Sequence, residues 1–202
     1  MSQIDFLRTQ EPQRPDGRHP DDFYATPRWA VVAILEALCL PESCMVLEPS
    51  CGDGAVLDVF AEVRPDIEAW GMELSVSRSG EARRRGHTVV TGDFIDDVWM
   101  EPGQWAPISS VFGNPPYSLA QEFVEHALGV VVDGTDVTFL LRLGFLASKR
   151  RAHLYAPGSG FRRLDVLPRR PSFTPDGKTD SSDYAWFTWR KGFEGPAIVN
   201  HL

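Results

Sequence analysis

The stretch "MVLEPSCGDGAVL", Met45 to Leu57, sets the reading of the chain. It opens as a short apolar run, the pattern of a buried strand, and closes on the helical pattern "GAVLDVFAEV" (54–63). Gly52 and Gly54 stand between the two. Glycine in a strand-to-helix connection permits a tight turn and lets backbone N–H groups come close to a ligand. The acidic residues Glu48 and Asp53 frame the turn. They would repel a pyrophosphate, and no P-loop lysine follows. The turn therefore suits a ligand that carries positive charge.

The same alternation continues outward. "CMVLEP" (44–49) is the first strand, "IEAWGMEL" (67–74) the second, "HTVVTGD" (87–93) the third, "PISSVFG" (107–113) the fourth and "DVTFLLRL" (136–143) the fifth. "FRRLDVL" (161–167) and "DYAWFTWR" (183–190) complete seven, the last alternating in the manner of an antiparallel edge strand. Helical patterns cover 27–38, 54–63, 76–86, about 118–131 and 145–155. Pro27 suits a first helical turn, and Ser118 with Gln121 has capping-box spacing. This order implies an α/β fold with a seven-stranded, mostly parallel sheet, helices on both faces and one antiparallel edge strand. Residues 1–22 are polar and proline-bearing and are expected to form a flexible N-terminal arm, with 23–202 a single domain.

Composition narrows the classes. The 202 residues are 43% hydrophobic and 24% charged, as in soluble globular proteins, and contain no apolar run of membrane-spanning length. The polar start does not read as a secretory signal, and Cys39, Cys44 and Cys51 form no paired or metal-binding spacing. A cytoplasmic protein without a metal is expected. The net charge of -8 argues against binding nucleic acid through overall charge. Local charge is segregated, however: Arg142, Lys149, Arg150, Arg151, Arg162, Arg163, Arg169 and Arg170 fall within one stretch that holds Asp165 as its one acid.

In a sheet of this kind ligands bind beyond the C-terminal strand ends. The second strand ends at Glu73 and Leu74, and an acid there suits the hydroxyls of a ribose. The third ends "TGDF", where Asp93 can accept from an adenine amino group and Phe94 can cover the adenine face. The fourth runs into "GNPPY" (113–117). Pro115 and Pro116 lack N–H donors and keep the chain extended, so their carbonyls and the Asn114 amide oxygen read as acceptors for an NH2 group. Tyr117 offers a flat face for a planar substrate.

These motifs resemble those of class I S-adenosylmethionine-dependent DNA adenine-N6 methyltransferases, with a Rossmann-like fold. "FYATP" (23–27), with Tyr24, Thr26 and Pro27, resembles the N-terminal cofactor motif, and "LEPSCGDGA", with Glu48, Pro49, Ser50, Gly52, Asp53 and Gly54, the glycine-rich one. "MELS" resembles the ribose-binding segment and "GDF" the adenine contact. "NPPY" resembles the catalytic tetrad, Asn114, Pro115, Pro116 and Tyr117, whose asparagine form leans toward adenine N6. The resemblance implies S-adenosyl-L-methionine as cofactor and a base flipped out of DNA and stacked on Tyr117. Phe173, in "RRPSF", is the candidate for the base's other face, and Lys149, Arg150, Arg151, Arg169 and Arg170 are candidates for phosphates. Sequence-reading members carry a separate recognition domain, but only 13 residues follow Trp189. Recognition is then short, relaxed or supplied by a partner, which fits a small phage or mobile-element enzyme that masks DNA from restriction. RNA adenine, a protein glutamine amide, and an inactive cofactor-binding subunit remain the competing readings.

Overall fold

A computed structural model describes residues 24–96, 108–173, 177–179 and 181–202. The expected arm at 1–22 and most of the insertion at 96–107 lie outside the described residues.

Eight strands form one sheet in the order β3-β2-β1-β4-β5-β7-β6-β8. They are β1 (Met45–Glu48), β2 (Glu68–Glu73), β3 (Thr88–Thr91), β4 (Ile108–Gly113), β5 (Asp136–Arg142), β6 (Phe161–Val166), β7 (Tyr184–Arg190) and β8 (Ile198–His201). Strands β1 to β5 run parallel to one another. The order reverses between β1 and β4, the place where such sheets open a crevice.

Two expectations are corrected. The sheet has eight strands rather than seven, and antiparallel β7 lies inside it, paired with both β5 and β6, instead of at an edge. The reason for the second is visible in its side chains. Tyr184 and Trp186 enter the core on one face, and Ala185, Phe187 and Trp189 on the other. The indoles find acceptors there: Trp186 Nε1 donates to the Ala30 carbonyl at 3.0 Å and Trp189 Nε1 to the Leu154 carbonyl at 2.8 Å. A strand with both faces apolar and both polar tips satisfied belongs in the interior. The edge on this side is β8, short and exposed, parallel to β6.

Helices α1 (Arg28–Ala37) and α2 (Ala55–Val63) cover one face with Val31, Ile34, Val59 and Phe60, against Phe112, Leu140 and Trp186. Helix α4 (Ala120–Val130) covers the other with Phe123, Val124 and Ala127. Helix α3 (Val76–Arg84) packs beside β2 and β3. The expected capping box at Ser118 does not form, because a short 3-10 turn at Tyr117–Leu119 precedes α4 and the Gln121 amide turns to Glu125 instead. The helix expected at 145–155 is likewise two 3-10 turns.

Candidate active site

The ends of β1, β2, β3 and β4 surround a cavity of about 450 Å³, a volume suited to a small molecule. Its wall is built from the β1–α2 turn. Gly54 has φ +95°, and a Cβ there would meet His87 Cδ2 at 2.8 Å, so only glycine fits the turn. The Cys51 amide donates to the Met72 carbonyl at 2.9 Å, and the Gly52 amide donates to Glu73 Oε2 at 2.9 Å. Glu73 Oε1 accepts from the Ser75 amide at 2.8 Å and from Arg78 Nε at 3.4 Å. Glu73 thereby locks the turn after β1 to the turn after β2. A carboxylate has about four acceptor sites, so capacity for ligand hydroxyls remains.

Glu48 is 3% exposed, lines the cavity, and its Oε2 is buried without a hydrogen-bond partner. Gly113 makes room for it: a Cβ there would lie 3.1 Å from Glu48 Cγ. Burial first, then Glu73 and Asp53, raise the Glu48 carboxyl well above its usual range. Asp53 is held by Arg85 at 3.5 Å through one oxygen, while its Oδ1 is buried without a partner. Glu48 Oε2 and Asp53 Oδ1 are thus buried oxygens without partners, and a cation beside them would satisfy both.

On the β4 side, Asn114 Nδ2 donates to the Tyr24 carbonyl at 3.1 Å. That bond fixes the amide and leaves Oδ1 buried with no partner, an acceptor waiting for a donor. The Pro116 carbonyl, expected to face outward, accepts the Leu119 amide at 2.9 Å, which leaves Pro115 as the proline acceptor. The Tyr117 ring lies in an aromatic group with Tyr24 at 5.7 Å, Tyr184 at 5.6 Å and Phe173 at 6.2 Å between centroids. Arg142, whose part the sequence did not reveal, places its guanidinium 5.0 Å from the same ring. Burial raises the Tyr117 phenol above its usual range.

Most residues expected to hold a cofactor line this cavity: Tyr24, Thr26, Glu48, Pro49, Ser50 and Asp53 from the first motifs, then Glu73, Leu74, Asp93, Phe94 and Asn114. Pro27, Gly52 and Gly54 shape the wall from behind instead, Pro27 as the residue before α1. Phe94 is only 2% exposed and packs on Phe123 and His126, while the apolar surface offered to a ligand comes from Leu74, 68% exposed, and Leu119, 42% exposed. Leu119 was missed because its exposure follows from the 3-10 turn after the tetrad.

The phosphate candidates are largely engaged elsewhere. Arg150 pairs with Glu122 at 3.1 Å and Arg170 with Asp183 at 2.9 Å. Arg151 donates to the Phe145 carbonyl at 2.8 Å, and Arg169 lies 4.4 Å from the Trp29 ring. Lys149 is exposed. Among the described residues no cluster of His, Cys, Asp or Glu is placed to hold a metal ion, and no helix is long and apolar enough to cross a membrane.

No protein-family model and no curated protein matches the sequence. Solved structures do match in shape. The methyltransferase subunit of a type I restriction-modification system from Streptococcus thermophilus aligns at TM-score 0.68 and 15% identity, over 88% of this chain and 47% of that one. An RNA methyltransferase from Salinibacter ruber, solved with S-adenosyl-L-homocysteine, aligns at 0.55 and 17%, over 85% and 95%. The 23S rRNA methyltransferase ErmE aligns at 0.60 and 18%, over 84% and 70%. The chain spans about half the length of the restriction-modification subunit. At these identities the likeness establishes the fold, a Rossmann-like methyltransferase fold with a mostly parallel sheet.

Proposed function

We propose that the protein transfers a methyl group from S-adenosyl-L-methionine to the N6 amino group of adenine in DNA. The observation that carries this reading is Asn114: its Nδ2 is spent on the Tyr24 carbonyl, and its buried Oδ1 is left as an unpaired acceptor at the cavity wall. An NH2 group supplies the donor that Oδ1 lacks, and the Pro115 carbonyl is the second acceptor.

The cavity fits the cofactor in its chemistry. When bound, S-adenosylmethionine supplies an electrophilic methyl group on a sulfonium. Glu48 and Asp53 offer buried oxygens without partners to its cationic part. Glu73 retains acceptor capacity for a ribose, and Asp93, with Oδ1 receiving the Ile95 amide at 3.0 Å, is at the cavity for an adenine amino group. Asn114 and Pro115 orient the target nitrogen so that its lone pair faces the methyl, and such alignment supplies much of the rate. Tyr117 stacks on the base. Once the methyl has moved, the nitrogen passes one of its protons to solvent water.

The DNA reading follows from the tetrad and the likeness to a restriction-modification subunit. RNA adenine is the second reading, favoured by two RNA methyltransferases among the structures of like shape. The pairing of Arg150 with Glu122 and of Arg170 with Asp183 suits recognition that is relaxed or supplied by a partner. The deciding experiment offers labelled S-adenosylmethionine with duplex DNA, single-stranded DNA or bulk RNA, followed by nucleoside mass spectrometry. N6-methyladenine in DNA is expected. Label in RNA alone would transfer the reading to RNA, and label in neither would defeat it.

A further inference from the structure

The ring meant to receive the methyl acceptor already has a nearly parallel neighbour. Tyr24 and Tyr117 stand 5.7 Å apart between centroids with 23° between their planes. Phe173, the residue expected to cover the acceptor's other face, is inclined at 65° to Tyr117 and presents an edge. A planar group lying on Tyr117 can be covered on its far side by a parallel ring and not by one turned edge-on. Contacting carbon atoms sit about 3.5–4.0 Å apart, so a flat group held between two rings needs about 7 Å from ring to ring. Tyr24 and Tyr117, 5.7 Å apart between centroids, would have to part to admit it. Tyr24 is also joined to the acceptor-holding group, because its carbonyl receives Asn114 Nδ2 at 3.1 Å. Tyr184, 5.2 Å from Phe173 and 5.6 Å from Tyr117, backs the assembly.

We propose that Tyr24 and Tyr117 are the two jaws of a clamp for the methyl acceptor, with Phe173 as an edge-on end wall, and that the acceptor is therefore an aromatic nucleobase rather than a side-chain amide. This rests on the reading of Asn114–Tyr117 as the acceptor site. Two facing rings reward a heterocycle with a π-surface on both sides, whereas a glutamine amide offers little area to either. Tyr24 thus serves the acceptor as well as lining the cofactor cavity.

The test uses the full chain and a short single strand of DNA carrying 2-aminopurine, whose fluorescence is quenched when it stacks on an aromatic ring. The wild-type protein with S-adenosylhomocysteine is expected to quench it. Tyr24→Ala should weaken strand binding by on the order of tenfold and abolish quenching. Tyr24→Phe should restore both, and Phe173→Ala should cost less than Tyr24→Ala. Calorimetry should show that Tyr24→Ala loses less affinity for S-adenosylhomocysteine than for the strand. An unquenched wild-type complex overturns the clamp. So does a Tyr24→Ala protein that loses cofactor affinity and keeps strand binding, since Tyr24 would then be a cofactor wall only. Methyl transfer is read separately: a strand that is quenched but never methylated upholds the clamp and defeats the catalytic reading.

Discussion

The two halves of the cavity rim are built from different materials. The half at the ends of β1, β2 and β3 is acidic and tightly tied, with Glu73 linking Gly52, Ser75 and Arg78. The half around the end of β4 is aromatic: Tyr24 lines the cavity, and Tyr117, Phe173 and the buried Tyr184 pack with it through their rings. Asn114 stands where they meet, bonded to Tyr24 and open toward the cavity. A charged, small ligand needs fixed countercharges and hydroxyl acceptors; a flat ligand that enters and leaves each cycle needs surfaces that can part. The contrast predicts that damage to one half should leave the other half's ligand largely unaffected.

The largest effect on ligand binding should come from breaking the acidic half at its lock. Glu73→Ala leaves the Gly52 and Ser75 amides without their acceptor, and S-adenosylhomocysteine affinity should fall by on the order of a hundredfold, about 1–3 kcal/mol for each group left unpaired. Calorimetry checks this; an unchanged affinity would remove Glu73 from the cofactor's site. On the aromatic half, Tyr117→Ala should raise the KM for the methyl acceptor by on the order of tenfold and spare cofactor affinity. Equal losses of both ligands would erase the proposed division.

A smaller, pH-linked effect tests the burial of Glu48. Its folded-state carboxyl binds a proton more tightly than the unfolded one, so the stability it contributes is present below the usual carboxylate range and is lost as pH rises toward the higher folded value. Glu48→Gln should therefore raise the melting temperature of the cofactor-free protein by on the order of a few degrees near pH 8 and by less near pH 5. A shift independent of pH in thermal unfolding would contradict the buried, proton-holding carboxyl. The smallest effect should be Arg150→Ala. Its pair with Glu122 is exposed, and losing it should cost less than about 1 kcal/mol in denaturant unfolding.

Much of this was readable from the chain. Periodicity placed the seven strands of the main pattern close to their observed bounds, and the order of acidic strand ends anticipated Glu48, Glu73 and Asp93 at one cavity. Local pattern failed where partners are distant in sequence. "IVNH" is too short and too exposed to announce β8, which exists through pairing with β6. The place of β7 depends on what lies on both of its sides, information that its own alternation does not contain. The basic stretch shows only Asp165 as an acid of its own, which pairs with Arg163, because its other acids come from elsewhere: Glu122 and Asp183 for Arg150 and Arg170, and Asp136 for Arg162. Ring orientation likewise does not show in the sequence: Tyr24 is the ring nearly parallel to Tyr117, and Phe173, the expected cover for the acceptor's other face, stands edge-on.

The measurement that bears most directly on the account is made on one variant, Asn114→Ala, with two readouts. Methyl transfer to adenine-bearing DNA should fall by on the order of a hundred- to a thousandfold, as for loss of a preorganised hydrogen-bonding group at a reacting atom. S-adenosylhomocysteine affinity, measured on the same preparation by calorimetry, should stay within a few-fold of wild type. Retained methyl transfer, or a loss fully explained by weaker cofactor binding, would contradict the assignment of Asn114 as the group that holds the acceptor's amino nitrogen.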